Sequence, residues 1–436
     1  MRSTLIAIFM ALLIASPCFA EKSFDEIEEE IIGKYIELPN TQDDFFKKQS
    51  AATVLVLGVR NIDSISPQIG QLRNLQTLSL FGSTGNTREG RQEITIPPEL
   101  LNLPRLRTLI LDGISDVRLS PGTKASQIQS HIERLRISGW TENTIPFLAD
   151  LTQLRELSLK MGNGSGGPIG LERLHNLRAL WVEENAKPLA LEQVCGLANL
   201  ERLFLFTQLK YPLPKCLERL TRLKAVAMFS CRRESLPDKT KIYFPVILTS
   251  LPSLEGLSLF DEGAAIEIPK TSYGLKNLRT LVVTRTPSDQ MYEKCPAEGI
   301  DSSNRDAIYD FLDLDAVVDY PKLERIILQT SGTLKGSTLP GPGPHAKDMS
   351  NLDIDPIRGI RRFLGIVDAA WKQGKLLSLK QIDMAEPSVG GEGEDGDGKL
   401  TTVWKRPSSQ DESGIMIPKN MRWMLKKERD KASSRK

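Results

Sequence analysis

Histidine is scarce in this chain, three in 436 residues, and cysteine is nearly as scarce, with five. Catalysis needs positioned acids, bases or nucleophiles. His131, His175 and His345 stand in no G-x-S-x-G or H-E-x-x-H setting, and surface positions are expected for all three. No C-x-x-C or Cys/His cluster offers a zinc site. The glycine-rich stretch 162–167 lacks the G-K-[ST] ending of a phosphate cradle and reads as a turn. An acidic run at 392–398 has the look of a calcium loop, but Trp404 stands at the twelfth place, where a bidentate Glu is needed. These absences point away from an enzyme and from any metal or cofactor. They leave no small-molecule substrate and no nucleic acid to expect.

Long apolar runs are also missing. Leu5–Ala15 is apolar but shorter than the roughly 20 residues of a membrane helix. With Arg2 before it and small residues up to Ala20, it reads as a signal peptide over residues 1–20, and the protein is expected to be exported to a periplasm or beyond the cell. Cys18 raises lipidation, against which Pro17 argues. The four cysteines after the signal, Cys195, Cys216, Cys231 and Cys295, permit disulfides in an oxidising compartment, yet their spacing fixes no pairing, and small buried hydrophobes are the expectation.

What is abundant is leucine at fixed intervals. The pattern L-x-x-L-x-L recurs at Leu75/Leu78/Leu80, Leu106/Leu109/Leu111, Leu154/Leu157/Leu159, Leu177/Leu180/Val182, Leu200/Leu203/Leu205, Leu254/Leu257/Leu259 and Leu278/Leu281/Val283. Degenerate copies begin at Ala52, Ile132, Leu223 and Leu323. The first residue of each copy is called the anchor below. From Leu154 to Leu223 the anchors step by 23 residues. The alternation at the end of each copy is the two-residue period of a strand with one buried face. One repeat cannot bury that face alone, so neighbours must stack.

These copies resemble the leucine-rich-repeat family over residues 51–331. Ile96–Leu106 is similar to the I-P-x-x-L-x-x-L-x-x-L form of plant and bacterial members, and Leu213–Leu220 is a second instance. The resemblance implies an α/β solenoid, a horseshoe with a parallel sheet on its concave face. It also implies recognition of a protein or peptide on that face. The family's Asn/Cys place, eight residues after the anchor, is kept at Asn185 and Cys231 but lost at Ser83, Gly162 and Gln208, which weakens the case for a regular asparagine ladder. Some bacterial members carry a C-terminal ubiquitin-ligase domain with a catalytic cysteine; here no cysteine follows Cys295. The chain also has no cysteine from Ala20 to Val194, unlike the disulfide-capped extracellular members of eukaryotes, and a bacterial envelope or secreted setting is expected.

Solenoid ends need caps. Ser23–Glu26 is a capping-box sequence, and Phe24, Ile27, Ile31 and Tyr35 follow at helical spacing, so residues 21–50 are expected to form a helical N-terminal cap with its helix over 23–36. Residues 332–385 read as a Gly/Pro-rich linker followed by a C-terminal cap helix opened by Pro356, with Leu379/Ile382/Met384 as a last strand. Residues 386–418 have the composition of a disordered segment. The end of the chain is basic, with 11 Lys/Arg against 4 Asp/Glu over 399–436, and offers weak membrane-surface contact. A monomer is expected.

By strand alternation, the residues two, four and six places after each anchor point away from the leucines. Trp181, Phe204, Phe206, Phe229 and Phe260 fall on those places. They are expected to form an exposed aromatic patch that binds the partner, with Arg202, Glu183 and Arg155 as a polar rim.

Overall fold

The computed structural model describes residues 27, 31, 34–60, 62–82, 93–114, 116–124, 127–140, 148–161, 170–183, 191–206, 213–230, 241–243, 246–261, 265–267, 275–285, 320–330, 356–385, 400–409 and 412–416. The expected signal peptide, the linker before Pro356 and the basic end lie outside them. The chain divides into two units, Arg2–Met228 and Phe229–Lys436.

In the first unit the strands are β1 (Tyr35–Glu37), β2 (Val54–Gly58), β3 (Thr77–Phe81), β4 (Glu93–Ile96), β5 (Thr108–Asp112), β6 (Asp116–Leu119), β7 (Arg134–Trp140), β8 (Glu156–Met161), β9 (Ala179–Glu183) and β10 (Arg202–Phe206), with β11 (Ala225–Ser230) running across the division. Strands β1, β2, β3, β5, β7, β8, β9 and β10 pair in that order, every pair parallel. Each from β2 onward falls on one predicted copy. The register is that of the repeat: Leu55, Leu78, Leu109, Leu135, Leu157, Leu180 and Leu203 stand side by side. All seven are 4% exposed or less, as are their anchors from Leu75 to Leu200. Full burial of a leucine removes it from water at a gain of roughly 1.5–3 kcal/mol, and the repeated rows form one apolar core.

The return segments are short 3-10 turns, Pro67–Gln71, Leu171–Arg173, Leu191–Gly196 and Lys215–Arg219, because few residues remain between one strand and the next. In the longer repeat, the I-P-P stretch makes a helical turn, Pro98–Leu101, with Pro at its start. Two short strands, β4 and β6, pair beside it as a second parallel sheet.

The returns are laced together by asparagines, though not at the place expected from the family. Asn185 and Cys231 lie outside the described residues. Instead the asparagine directly before an anchor donates to a carbonyl one repeat earlier: Asn176 Nδ2 to Thr152 O at 2.8 Å, Asn199 to His175 O at 2.8 Å, Asn277 to Pro252 O at 2.6 Å. Cys195 and Cys216, on consecutive returns, form a disulfide. This corrects the expectation of unpaired buried thiols: corresponding places in stacked repeats lie close enough for the bond, with Cα atoms 5.6 Å apart.

The N-terminal cap differs from expectation. Ile27 and Ile31 are helical and buried, but Tyr35 is not the last turn of that helix. Tyr35–Glu37 is β1, an exposed edge strand on β2, and Tyr35 is 42% exposed. Its hydroxyl donates to Glu37 and lies over Gly58, where any Cβ would collide with it. The helix Gln42–Lys48, which the sequence pattern did not reveal, buries Phe46 completely.

In the second unit, β12 (Lys241–Tyr243) pairs with β14 (Ala265–Glu267), and β13 (Gly256–Asp261), β15 (Thr280–Arg285), β16 (Arg325–Thr330) and β17 (Gln381–Ala385) form a parallel sheet. The cap helix runs Pro356–Lys372, as predicted, and buries Phe363, Leu364, Val367, Ala370 and Trp371. Leu379, Ile382 and Met384 form the predicted further strand copy, so repeat-like strands continue past residue 331. The expectation of disorder over 386–418 fails for its later part. There β18 (Leu400–Lys405) pairs antiparallel with β17, and Trp404 is fully buried. The reason is Val403–Trp404, an apolar pair that covers the last repeat; averaged with the acidic glycine run before it, the pair leaves no composition signal.

Candidate recognition surface

The face of the first sheet opposite the leucines is set by the places two and four after each anchor. Along the second of these columns stand Val56, Ser79, Ile110, Arg136, Ser158, Trp181 and Phe204, in register from β2 to β10. The inward side of the same strands is only Leu, Ile and Val.

Trp181 and Phe204 are brought together as their shared column requires. Their rings are parallel within 1° and 4.9 Å apart. They are not exposed, however: Trp181 is 7% accessible and Phe204 2%. Each ring covers one face of its neighbour, and the Arg202 guanidinium lies over Trp181 at 5.7 Å. Strand alternation gives the direction of a side chain and says nothing of what lies over it, so burial was not legible in the pattern. Phe206, Phe229 and Phe260 end or nearly end strands β10, β11 and β13 as predicted, but their side chains lie outside the described residues, as does that of Glu183.

Beside the rings is an ion-pair cluster that the sequence reading missed. Glu156, almost fully buried, accepts from Arg202 Nη2 at 2.6 Å and lies 3.5 Å from Arg134 Nε. Arg134, Glu156, Ala179 and Arg202 are neighbours in one column. Arg202 reaches Glu156 by passing over Ala179, whose methyl leaves room. The signal was present as opposite charges two repeats apart with a small residue between them. The other predicted rim residue, Arg155, lies one place after its anchor and pairs with Glu133 at 3.6 Å, at the start of the strands. The accessible part of the face is thus polar, made by the half-buried Arg134, Arg136, Ser158 and Arg202. His131 and His175 are exposed, as expected, and His345 lies outside the described residues. Among the described residues no group of three or more metal-ligating side chains converges.

Parallel strands at single-repeat spacing, a leucine core and short returns are the features of a leucine-rich-repeat fold. No protein-family model and no curated protein matches the chain. Among solved structures it is similar to two internalins from Listeria monocytogenes str. 4b F2365. The first shares 18% identity over 65% of this chain and 76% of the internalin, with a TM-score of 0.39. The second, internalin C2, shares 19% identity over 55% of this chain and 83% of its own, with a TM-score of 0.32. A leucine-rich-repeat protein of Leptospira interrogans shares 18% identity over 67% of this chain and 93% of its own, with a TM-score of 0.28.

Proposed function

We propose that the protein is a non-enzymatic recognition scaffold that binds a protein or peptide partner on the strand face of its repeats. One observation carries this reading: inward places hold the same few aliphatic residues on each repeat strand from β2 to β10, while outward places on adjacent strands change from Arg136 to Ser158 to Trp181 to Phe204. A constant core under a varied, pre-organised surface suits binding, because little side-chain freedom is lost on association. Arginine, as at the half-buried Arg136, is also among the types that dominate interfaces. In this reading Trp181 and Phe204 brace the face from beneath, and the partner meets Arg136 and Ser158; Phe206, Phe229 and Phe260, assigned to outward places by the repeat pattern alone, are proposed as further contacts.

Export belongs to the same proposal. The Cys195–Cys216 bond suits an oxidising compartment, residues 1–20 have the form of a signal peptide, and no described helix is long and apolar enough to cross a membrane.

The test compares the chain with two variants, Phe206→Ala/Phe229→Ala and Arg136→Glu, in capture of proteins from envelope and host extracts. Loss of a captured protein at unchanged melting temperature supports the reading. Full capture by both variants contradicts it.

A further inference from the structure

A second surface of the first unit has a composition that the strand face does not explain. Where the returns enter the strands, the residues directly before and after each buried anchor are exposed or half-buried. From Leu75 to Leu223 six of these places are basic (Arg105, Arg107, Arg155, Arg178, Arg222 and Lys224) and two are acidic, Glu133 and Glu201. Residues 21–228 as a whole balance, with 25 Lys/Arg and 25 Asp/Glu, so the excess belongs to this ridge.

The order of signs is regular. Two bases, Arg105 and Arg107, are followed by Glu133; Arg155 and Arg178 by Glu201; then come Arg222 and Lys224. Each glutamate holds two of the bases. Glu133 lies 3.5 Å from Arg107 and 3.6 Å from Arg155, while Glu201 lies 3.3 Å from Arg222 and 3.5 Å from Lys224. Arg105 and Arg222 reach back along the column before the anchors to Asn74 at 3.1 Å and Asn199 at 2.9 Å, and the contact of Arg222 with Glu201 ties that column to the one after the anchors. Arg178 is exposed and has no ion pair among the described residues. Six cations against two carboxylates leave most of the positive charge to solvent and salt.

We infer that this ridge docks an acidic protein segment of mixed charge, with carboxylates opposite the three base pairs and neutral or basic residues opposite Glu133 and Glu201. The inference rests on the reading of the chain as a recognition scaffold and adds a site to it. Sign alternation decides between partner classes. A uniform polyanion, such as a sulfated polysaccharide, meets both glutamates as repulsions, whereas a peptide is able to break its charge where they stand. Glu133 and Glu201 stand directly before strands β7 and β10, three steps apart, about 14 Å at a strand spacing of about 4.8 Å, which is the span of roughly four residues of extended chain. The complementary segment therefore repeats its acidic pair about every four residues.

The experiment measures binding of the full chain, by fluorescence anisotropy, to a labelled peptide of three Asp-Asp-Ser-Lys repeats, to a scrambled peptide of the same composition, to poly-aspartate and to heparin. The patterned peptide is expected to bind at least tenfold tighter than the scrambled one, with affinity falling as salt rises. Arg155→Glu with Arg178→Glu abolishes that binding at unchanged melting temperature. Glu133→Gln with Glu201→Gln removes the preference for the patterned peptide over poly-aspartate. Equal binding of the scrambled peptide, tighter binding of heparin, or indifference to the arginine reversals overturns the inference. Phe206→Ala/Phe229→Ala leaves peptide binding intact, so failure of the strand-face reading and failure of the ridge are separate results.

Discussion

Arg202 crosses two repeats to reach Glu156, its Nη2 2.6 Å from the carboxylate, and passes over Ala179 on the strand between. The contact binds strands β8 and β10 directly and sets the floor of the proposed face. Glu156 is 5% exposed at its side chain, Arg202 14% and Arg134 15%, so removing the carboxylate takes a buried ion-pair partner from two largely buried guanidinium groups. Glu156→Ala is expected to cost about 1–3 kcal/mol in urea denaturation. Ala179→Leu, which fills the place Arg202 crosses, is expected to lose stability on the same scale. Unchanged stability in both variants would show that the cluster is idle.

Trp181→Ala and Phe204→Ala are each expected to destabilise the chain by about 3–5 kcal/mol, as for buried aromatic residues. Because the rings stack on one another, the double variant loses less than the sum of the two. Denaturant midpoints check this. A change within about 0.5 kcal/mol, the usual effect at an exposed site, would place the rings in water.

The repeat frame was legible because leucine every second or third residue has one physical meaning, a half-buried strand that needs neighbours. The cap helix from Pro356 was legible for the same reason at helical period. What escaped lay where one residue decides. Tyr35 continued the helical spacing of Ile27 and Ile31, yet it sits in a strand over Gly58. Trp404 was averaged into an acidic, glycine-rich stretch, and Cys195 and Cys216 become partners only when two returns stack. For the candidate face, the direction of Trp181 and Phe204 was readable but their cover was not.

The C-terminal closure should respond to acid. Burial pushes the Asp368 carboxyl pKa up, but hydrogen bonds from the Gly414 N–H, the Trp404 indole, Lys372 and Ser413 together outweigh it and leave the group below its ordinary value. Glu324 is likewise held down, first by the hydrogen bond from Lys380. A carboxylate depressed in the folded state stabilises it above the unfolded pKa, and that contribution is lost as pH falls through the folded value. Asp368→Asn should therefore flatten the loss of stability below about pH 4. Gly414→Ala, whose Cβ would collide with the Trp404 indole and the Lys405 carbonyl, should release the segment at every pH. Melting curves between acid and neutral pH, followed by Trp fluorescence, test both. An acid response identical in wild type and Asp368→Asn contradicts the assignment.

Reduction of Cys195–Cys216 is expected to remove about 2–4 kcal/mol, the usual contribution of a loop this long. Cys195→Ala/Cys216→Ala should match the reduced wild type and be indifferent to dithiothreitol. At least two thiols fewer in the unfolded, unreduced chain than in the reduced one, a difference that shrinks by two in the double variant, confirm the bond, and an equal count refutes it.

The central claim, recognition by the strand face, is tested most directly by hydrogen–deuterium exchange of the chain with and without the protein that it captures from extracts. Added protection is predicted on β7 to β10, with the returns Leu171–Arg173 and Leu191–Gly196 unaffected. Protection confined to those returns, with β7 to β10 unchanged, would contradict it.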